Sequence, residues 1–218
     1  MKVKHFELNP FRENTYVLYD ETKQCVIIDP GCYDPSEERI LSGFIEEQQL
    51  NPVALLNTHC HIDHIFGNHF IAARYKLIPQ IHPMEKAILA SATMVGEMYG
   101  LDVTPSPEAE TSLADNGIFN FGNTTLKMLL VPGHSPGSIC FYHEASKQII
   151  GGDVLFQESI GRTDLPGGDM QTLLRSIKDK LFVLPDDVTV FPGHGGPTTI
   201  GHEKNYNPYL TDASAFTA

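Results

Sequence analysis

The stretch Thr58-His59-Cys60-His61-Ile62-Asp63-His64 sets three imidazoles and a carboxylate within six consecutive positions, directly after the apolar run from Val53 to Asn57. Shuffling a chain with 10 His would produce this four-donor window about once per thousand sequences, so composition does not account for it. Nitrogen and oxygen donors without thiolates suit zinc or iron. The run from Val53 to Asn57 reads as a buried strand. On extended backbone alternate side chains share a face, which sends His59 and His61 to one side and Cys60 to the other. Cys60 is therefore expected to be a packed thiol. A turn beyond His61 redirects Asp63 and His64 toward a second ion.

Working outward, three more segments carry the same signature. His134 sits in Gly133-His134-Ser135-Pro136-Gly137, Asp153 follows Gly151-Gly152, and His194 lies in Pro192-Gly193-His194-Gly195. Each follows or flanks a short β-favouring run, and each alone reads as a turn residue. Four strand-end segments that all present His or Asp point to one metal-lined cleft. Spacing does not say which ligand serves which ion.

The rest of the chain alternates strands and helices. Val17 to Tyr19 and Cys25 to Ile28 are β-favouring runs, and Asp29-Pro30-Gly31 ends the second with turn chemistry. Helical periodicity is expected over 36–50, from near Gly67 through Ala72, over 84–98, and over 169–181 with Asp169 as N-cap. Further strands are expected over 77–81, 124–131, 138–142, 148–150 and 188–191, and a final short helix over 203–206. Residues 104–111 and the glycine-rich run through Gly168 read as loops. This is an α/β chain. Its two strand-rich halves suit a four-layer αββα sandwich with two sheets packed face to face, and a doubly wound single sheet fits the same periodicity.

Composition narrows the function classes. The chain has 218 residues, 41% hydrophobic and 19% charged, enough to bury roughly 70% of its unfolded surface without disulfide staples. A net charge of −12 argues against a nucleic-acid partner. Four dispersed cysteines form no CxxC pair and suit a reducing compartment. The opening residues lack a signal-peptide pattern, and no apolar run approaches 18 residues, so no membrane association and a cytoplasmic location are expected. Oligomeric state is not legible.

The motifs around His59, His134, Asp153 and His194, with Gly161-Arg162-Thr163-Asp164-Leu165-Pro166-Gly167-Gly168-Asp169 and the block from Pro197 to Leu210, resemble the metallo-β-lactamase superfamily, in particular its compact glyoxalase II-like (hydroxyacylglutathione hydrolase-like) branch. The resemblance implies the metallo-β-lactamase fold and a division of ligands: His59, His61 and His134 for one metal, Asp63, His64 and His194 for the other, with Asp153 bridging. It implies two divalent ions, zinc first, with iron or mixed zinc and iron as alternatives, and a bridging water or hydroxide. The implied reaction is hydrolysis of a small-molecule thioester, possibly glutathione-derived in the sense of a hydroxyacylglutathione, with Asp63 and Asp153 as catalytic carboxylates.

Only 24 residues follow His194, so one domain over 1–218 is expected, without the complete C-terminal helical domain that binds glutathione in full-length relatives. Arg162, Lys204 and Tyr206 are candidate substrate contacts; Arg162 has an alternative role in holding Asp164. Asn14 and Tyr16 resemble a segment that orders the cleft wall, and His202 is expected at a helix start. Two other readings stand beside the hydrolase. One is a mononuclear-iron persulfide dioxygenase using His59, His61, His134 and Asp153; the other is a non-catalytic metal-binding or scaffold protein. Asp153, where common zinc β-lactamases carry Cys, argues against β-lactam hydrolysis.

Overall fold

The computed structural model describes residues 1–211; the expected single domain over 1–218 reaches past them into 212–218, which lie outside the described residues. The first sheet runs in the order β1 (Lys2–Leu8), β2 (Glu13–Tyr19), β3 (Gln24–Ile28), β4 (Asn51–Leu56) and β5 (Pro79–Gln80), antiparallel up to β3 and parallel beyond. The second contains β6 (Ile118–Phe121), β7 (Thr124–Leu130), β8 (Ile139–His143), β9 (Gln148–Gly152), β12 (Thr189–Pro192) and β13 (Thr198–Thr199), in the order β13-β12-β9-β8-β7-β6. Its pairs are antiparallel except β9 with β12. A small hairpin of β10 (Leu155–Phe156) and β11 (Ser159–Ile160) follows β9.

Period-two alternation makes the layers. Tyr16, Leu18, Val26, Ile28 and Leu56 of the first sheet pack with Leu126, Met128, Ile139, Phe141 and Ile150 of the second, forming the central core. The intervening residues face outward. Val17, Cys25, Ile27 and Leu55 meet Leu41 and Ile45 of α1 (Pro35–Glu47) and Ile71 of α3 (Asn68–Tyr75). Cys140, Tyr142, Ile149 and Val190 meet Leu173 and Leu174 of α5 (Met170–Ser176), the π-helical turn Ile177–Leu181, and Ile200 of α6 (Ile200–Tyr206). Both sheets are mixed and both outer faces carry helices, so the four-layer αββα sandwich is the architecture. The doubly wound single sheet is excluded, because strands 1–5 and strands 6–9 with 12 and 13 bond among themselves as separate sheets.

Several boundaries differ from the periodicity reading. The strand expected over 77–81 shrinks to two residues, and the helix expected over 84–98 opens with a 3-10 turn, Pro83–Glu85, before α4 (Lys86–Tyr99). A four-residue helix, α2 (Ile62–Ile65), occupies the expected turn after His61. The strands β6, β10, β11 and β13 fall where loops or no element were expected, being two to four residues long with little alternation to read. A last turn, α7 (Pro208–Thr211), is capped by Asn207, whose Oδ1 accepts from Tyr209 N. Among the described residues no helix is long and apolar enough to cross a membrane.

Candidate metal centre

The motifs around His59, His134, Asp153 and His194 meet at one edge of the sandwich. His59 follows β4, His61 stands at the N-terminus of α2, and Asp63 and His64 lie in its turn. His134 sits between β7 and β8, Asp153 just past β9, and His194 just past β12. The loops after parallel strands β4, β9 and β12 therefore deliver most of the candidate ligands.

Three donor groups lie close enough to share an ion, and the one of Asp29, His59 and His64 overlaps the other two. His59, His61 and His134 bring one ring nitrogen each into mutual proximity, as do Asp63, His64 and His194 with a carboxylate oxygen and two ring nitrogens. His134 Nε2 lies 2.9 Å from His61 Nδ1 and 3.2 Å from His59 Nε2. Two nitrogens held at zinc-like bond lengths in a tetrahedron stand about 3.3 Å apart, so this spacing fits one small cation. Asp153 spans the clusters: its Oδ2 lies 3.7 Å from His134 Nε2 and 3.4 Å from His194 Nε2, and its Oδ1 lies 3.4 Å from His64 Nε2. Asp63 Oδ2 lies 3.2 Å from His194 Nε2. His64 Nε2 and Asp153 Oδ1 are buried without a hydrogen-bond partner in the protein. Buried polar atoms left unpaired are costly, and two of them facing each other across a donor cluster fit a bound cation.

The non-ligating nitrogens are tied down. His134 Nδ1 donates to Arg162 O at 2.8 Å, and His194 Nδ1 reaches Phe11 O and Arg12 O at 3.1 and 3.2 Å. Such bonds leave each Nε2 with its lone pair aimed at the cluster. Asn14 Nδ2 donates to Pro192 O and Gly195 O, and Tyr16 Oη to Pro192 O at 2.6 Å, so these two residues hold the His194 loop. Gly193 is required by packing: a Cβ there would stand 2.1 Å from Asp153 Oδ1.

Two further buried carboxylates, Asp29 and Glu85, brace the loops. Asp29, at φ 50° where the chain leaves β3, accepts from Thr58 N at 2.7 Å and Thr58 Oγ1 at 2.5 Å, and lies 3.1 Å from His64 Nδ1. Glu85, fully buried, accepts from Cys60 N at 2.8 Å, Ser135 Oγ at 2.6 Å and Gly137 N at 2.7 Å. It therefore joins the loop bearing His59 and His61 to the loop bearing His134.

The two clusters differ in charge. Burial, reinforced by neighbouring imidazoles, pushes His59 well below the usual histidine range and His61 down to about 3. In the second cluster burial is outweighed by carboxylates: Asp153 and Asp63 lift His64 well above its ordinary value and His194 to about 10. For the two carboxylates burial likewise opposes ionisation and is outweighed, chiefly by His64, which leaves Asp63 lowered and Asp153 well lowered.

The metallo-beta-lactamase superfamily profile matches residues 8–194. The chain belongs to this superfamily. It is 39% identical over 216 residues, 98% of the chain and 100% of the relative, to a probable metallo-hydrolase YqgX of Bacillus subtilis. It is 36% identical over 222 aligned residues, 98% of the chain and 100% of the relative, to hydroxyacylglutathione hydrolase GloC of Haemophilus influenzae. Among solved structures it is similar to the B3 metallo-beta-lactamase BLEG-1, with a TM-score of 0.87, 37% identity, and coverage of 97% of the chain and 100% of that protein. It is also similar to TTHA1623 in a di-iron-bound form, with a TM-score of 0.86, 35% identity, and coverage of 95% and 100%. Superfamily membership and the donor clusters make this a metal-binding hydrolase fold with a divalent-metal site.

A cavity of about 430 Å³ opens above the clusters, with His61, Asp63, His134, Asp153 and His194 in its floor. Arg162 lies in its wall, but its guanidinium is bound by both Asp164 oxygens at 2.7 and 2.8 Å, the alternative role foreseen for it. Lys204 and Tyr206 are not among the residues that line this cavity. The Lys204 ammonium bonds Asp186 Oδ1 and Leu184 O, and Tyr206 is exposed and packs on the His202 ring. Both sit on α6, whose buried face is turned into the outer core by Ile200. His202 itself lies in the first turn of α6 and meets Glu158. Cys60 is buried among Ile62, Ile65 and Phe66, stands outside both donor clusters, and burial pushes its thiol well above the usual range. Asp29 and Glu85 escaped the sequence reading: one lay in a turn motif and the other at a helix start, where solvent-facing acids are commonplace.

Proposed function

We propose that the chain is a binuclear metal-dependent hydrolase of small-molecule thioesters. The observation that carries the reading is the pair of three-donor clusters spanned by Asp153 on the floor of one cavity. The name of the Haemophilus influenzae relative makes a hydroxyacyl thioester the first compound to test. His59, His61 and His134 would hold one ion, Asp63, His64 and His194 the other, and Asp153 both. Two such ions supply a water of lowered pKa and polarise a carbonyl oxygen.

The chain's own groups do the rest. Asp153 fixes the distance between the clusters. Asp63, in the cavity floor and bonded on one side to His194, is the carboxylate placed to take a proton from the attacking water and return it to the leaving sulfur. The carbon–sulfur bond breaks, a carbon–oxygen bond forms, and a carboxylic acid and a thiol leave. The walls of Phe11, Ile62 and Phe156 limit bulk water around the carbonyl.

A one-iron dioxygenase would draw on His59, His61, His134 and Asp153; the cluster of Asp63, His64 and His194 offers the donors for the second ion that the hydrolase reading requires. The test is thiol release from a thioester under nitrogen by chain loaded with zinc or with iron, with oxygen uptake on a persulfide measured in parallel. Thiol release without oxygen supports the proposal; oxygen uptake with no thioester cleavage overturns it. In the same assay Asp153→Ala lowers metal occupancy and thiol release together, and unchanged values for both refute its bridging role.

A further inference from the structure

The cavity wall away from the metal-facing floor has a chemistry of its own. On one side α4 presents Ile88, Ser91, Val95 and Tyr99 at helical spacing, with Ser91 Oγ donating to Ile88 O, and Phe156, Leu165 and Pro166 complete the wall. Among the described residues of this wall there is no lysine, and Arg162 is its one guanidinium. Two of the nitrogens of that guanidinium are committed to Asp164, which leaves the pair close to neutral. The same helix leaves Met94 and Met98 exposed, at 60% and 79%, so apolar surface continues along α4 outside the cavity. The chain as a whole carries −12.

Glutathione brings two carboxylates and one ammonium, and a site that selects it needs free cations or convergent donors for the carboxylates. This wall offers no lysine, and its hydroxyls are only those of Ser91, spent on Ile88 O, and Tyr99. It offers desolvation of hydrocarbon, which rewards each methylene buried. We infer that the site selects thioesters by an uncharged apolar limb lying along α4 and does not select the glutathione portion. This rests on the thioester-hydrolase reading and specifies its substrate class. The limb can belong to the acyl group or to the thiol, since the carbonyl over the metal floor leaves both sides of the ester facing wall.

The experiment uses the full metal-loaded chain and two series of neutral esters. One lengthens the acyl chain on N-acetylcysteamine; the other keeps an acetyl group and lengthens an alkyl thiol. The S-acylglutathione with each acyl group is the comparator, and thiol release gives kcat/KM. The expected result is a rise of about fourfold per methylene in one series until the cavity is filled. Whichever series rises identifies the limb. The glutathione ester is expected to be no better than its N-acetylcysteamine counterpart, and Val95→Ser is expected to flatten the rising series. A glutathione ester preferred tenfold or more, or flat dependence in both series, overturns the inference while leaving thioester hydrolysis standing. Cleavage of none of these esters by chain holding its metals overturns both.

Discussion

Glu85 is the residue whose removal speaks most directly to how the three-histidine cluster is built. One oxygen accepts from Ser135 Oγ and Gly137 N, the other from Cys60 N, and all three donors are buried. In Glu85→Gln one oxygen becomes an NH₂ group. Whichever way the amide turns, a donor then faces Cys60 N–H or the Ser135 and Gly137 pair. One charge-assisted bond worth about 1.5–3 kcal/mol is lost and the others weaken to neutral strength, for a total of about 3 kcal/mol. That is a fall of about a hundredfold in the folded-to-unfolded ratio. Because the lost bond joins the His61 loop to the His134 loop, the 2.9 Å approach of their ring nitrogens is expected to loosen. Binding of one metal equivalent should then weaken about ten- to a hundredfold, as for other outer partners of metal ligands, while the second equivalent is affected less. Guanidinium unfolding of metal-free chain, with calorimetric titration of zinc, measures both effects. A midpoint and two metal affinities equal to those of the parent would refute the reasoning.

Three other outcomes follow from the same geometry. His194, raised to about 10, holds a proton in the metal-free fold where an unfolded imidazole near 6.5 has lost it, so its pairing with Asp153 and Asp63 stabilises that fold fully below about 6.5 and is lost as pH rises through about 10. Metal entering its cluster must displace that proton, whereas His61, held down to about 3, has none to lose near neutrality. One metal equivalent should therefore tighten with rising pH and release protons, seen by titration calorimetry in buffers of different ionisation enthalpy, while the other stays nearly flat. Gly193→Ala places a methyl 2.1 Å from Asp153 Oδ1 and should cut metal content, measured by elemental analysis, with the fold retained by circular dichroism. Cys60→Ser should retain its metals, because the thiol is packed in an apolar cluster; its cost is about 1–3 kcal/mol of stability from a buried hydroxyl, read from denaturant midpoints.

Much of this was written in local pattern. The β-favouring runs 17–19, 25–28 and 138–142 mark strands whose two faces serve different cores, and Leu173, Leu174, Ile177 and Leu181 mark one buried helical face. The seven candidate ligands stood out in the sequence because each stands beside glycine or inside one short motif. Sheet partition was not, since hydrogen-bond partners of a strand leave no trace in its own periodicity. Nor were Asp29 and Glu85, whose roles exist only once β3 lies beside β4 and the start of α4 meets the His134 loop. The Lys204 motif carries no trace of Asp186, whose carboxylate its ammonium meets in the fold.

The central claim is that seven side chains form a two-ion site with Asp153 common to both. Anomalous diffraction from crystals of the metal-loaded chain tests it most directly. The account predicts two peaks per chain, one ringed by His59, His61 and His134, the other by Asp63, His64 and His194, each within bonding distance of an Asp153 oxygen. One peak alone, or two that do not share Asp153, would contradict it.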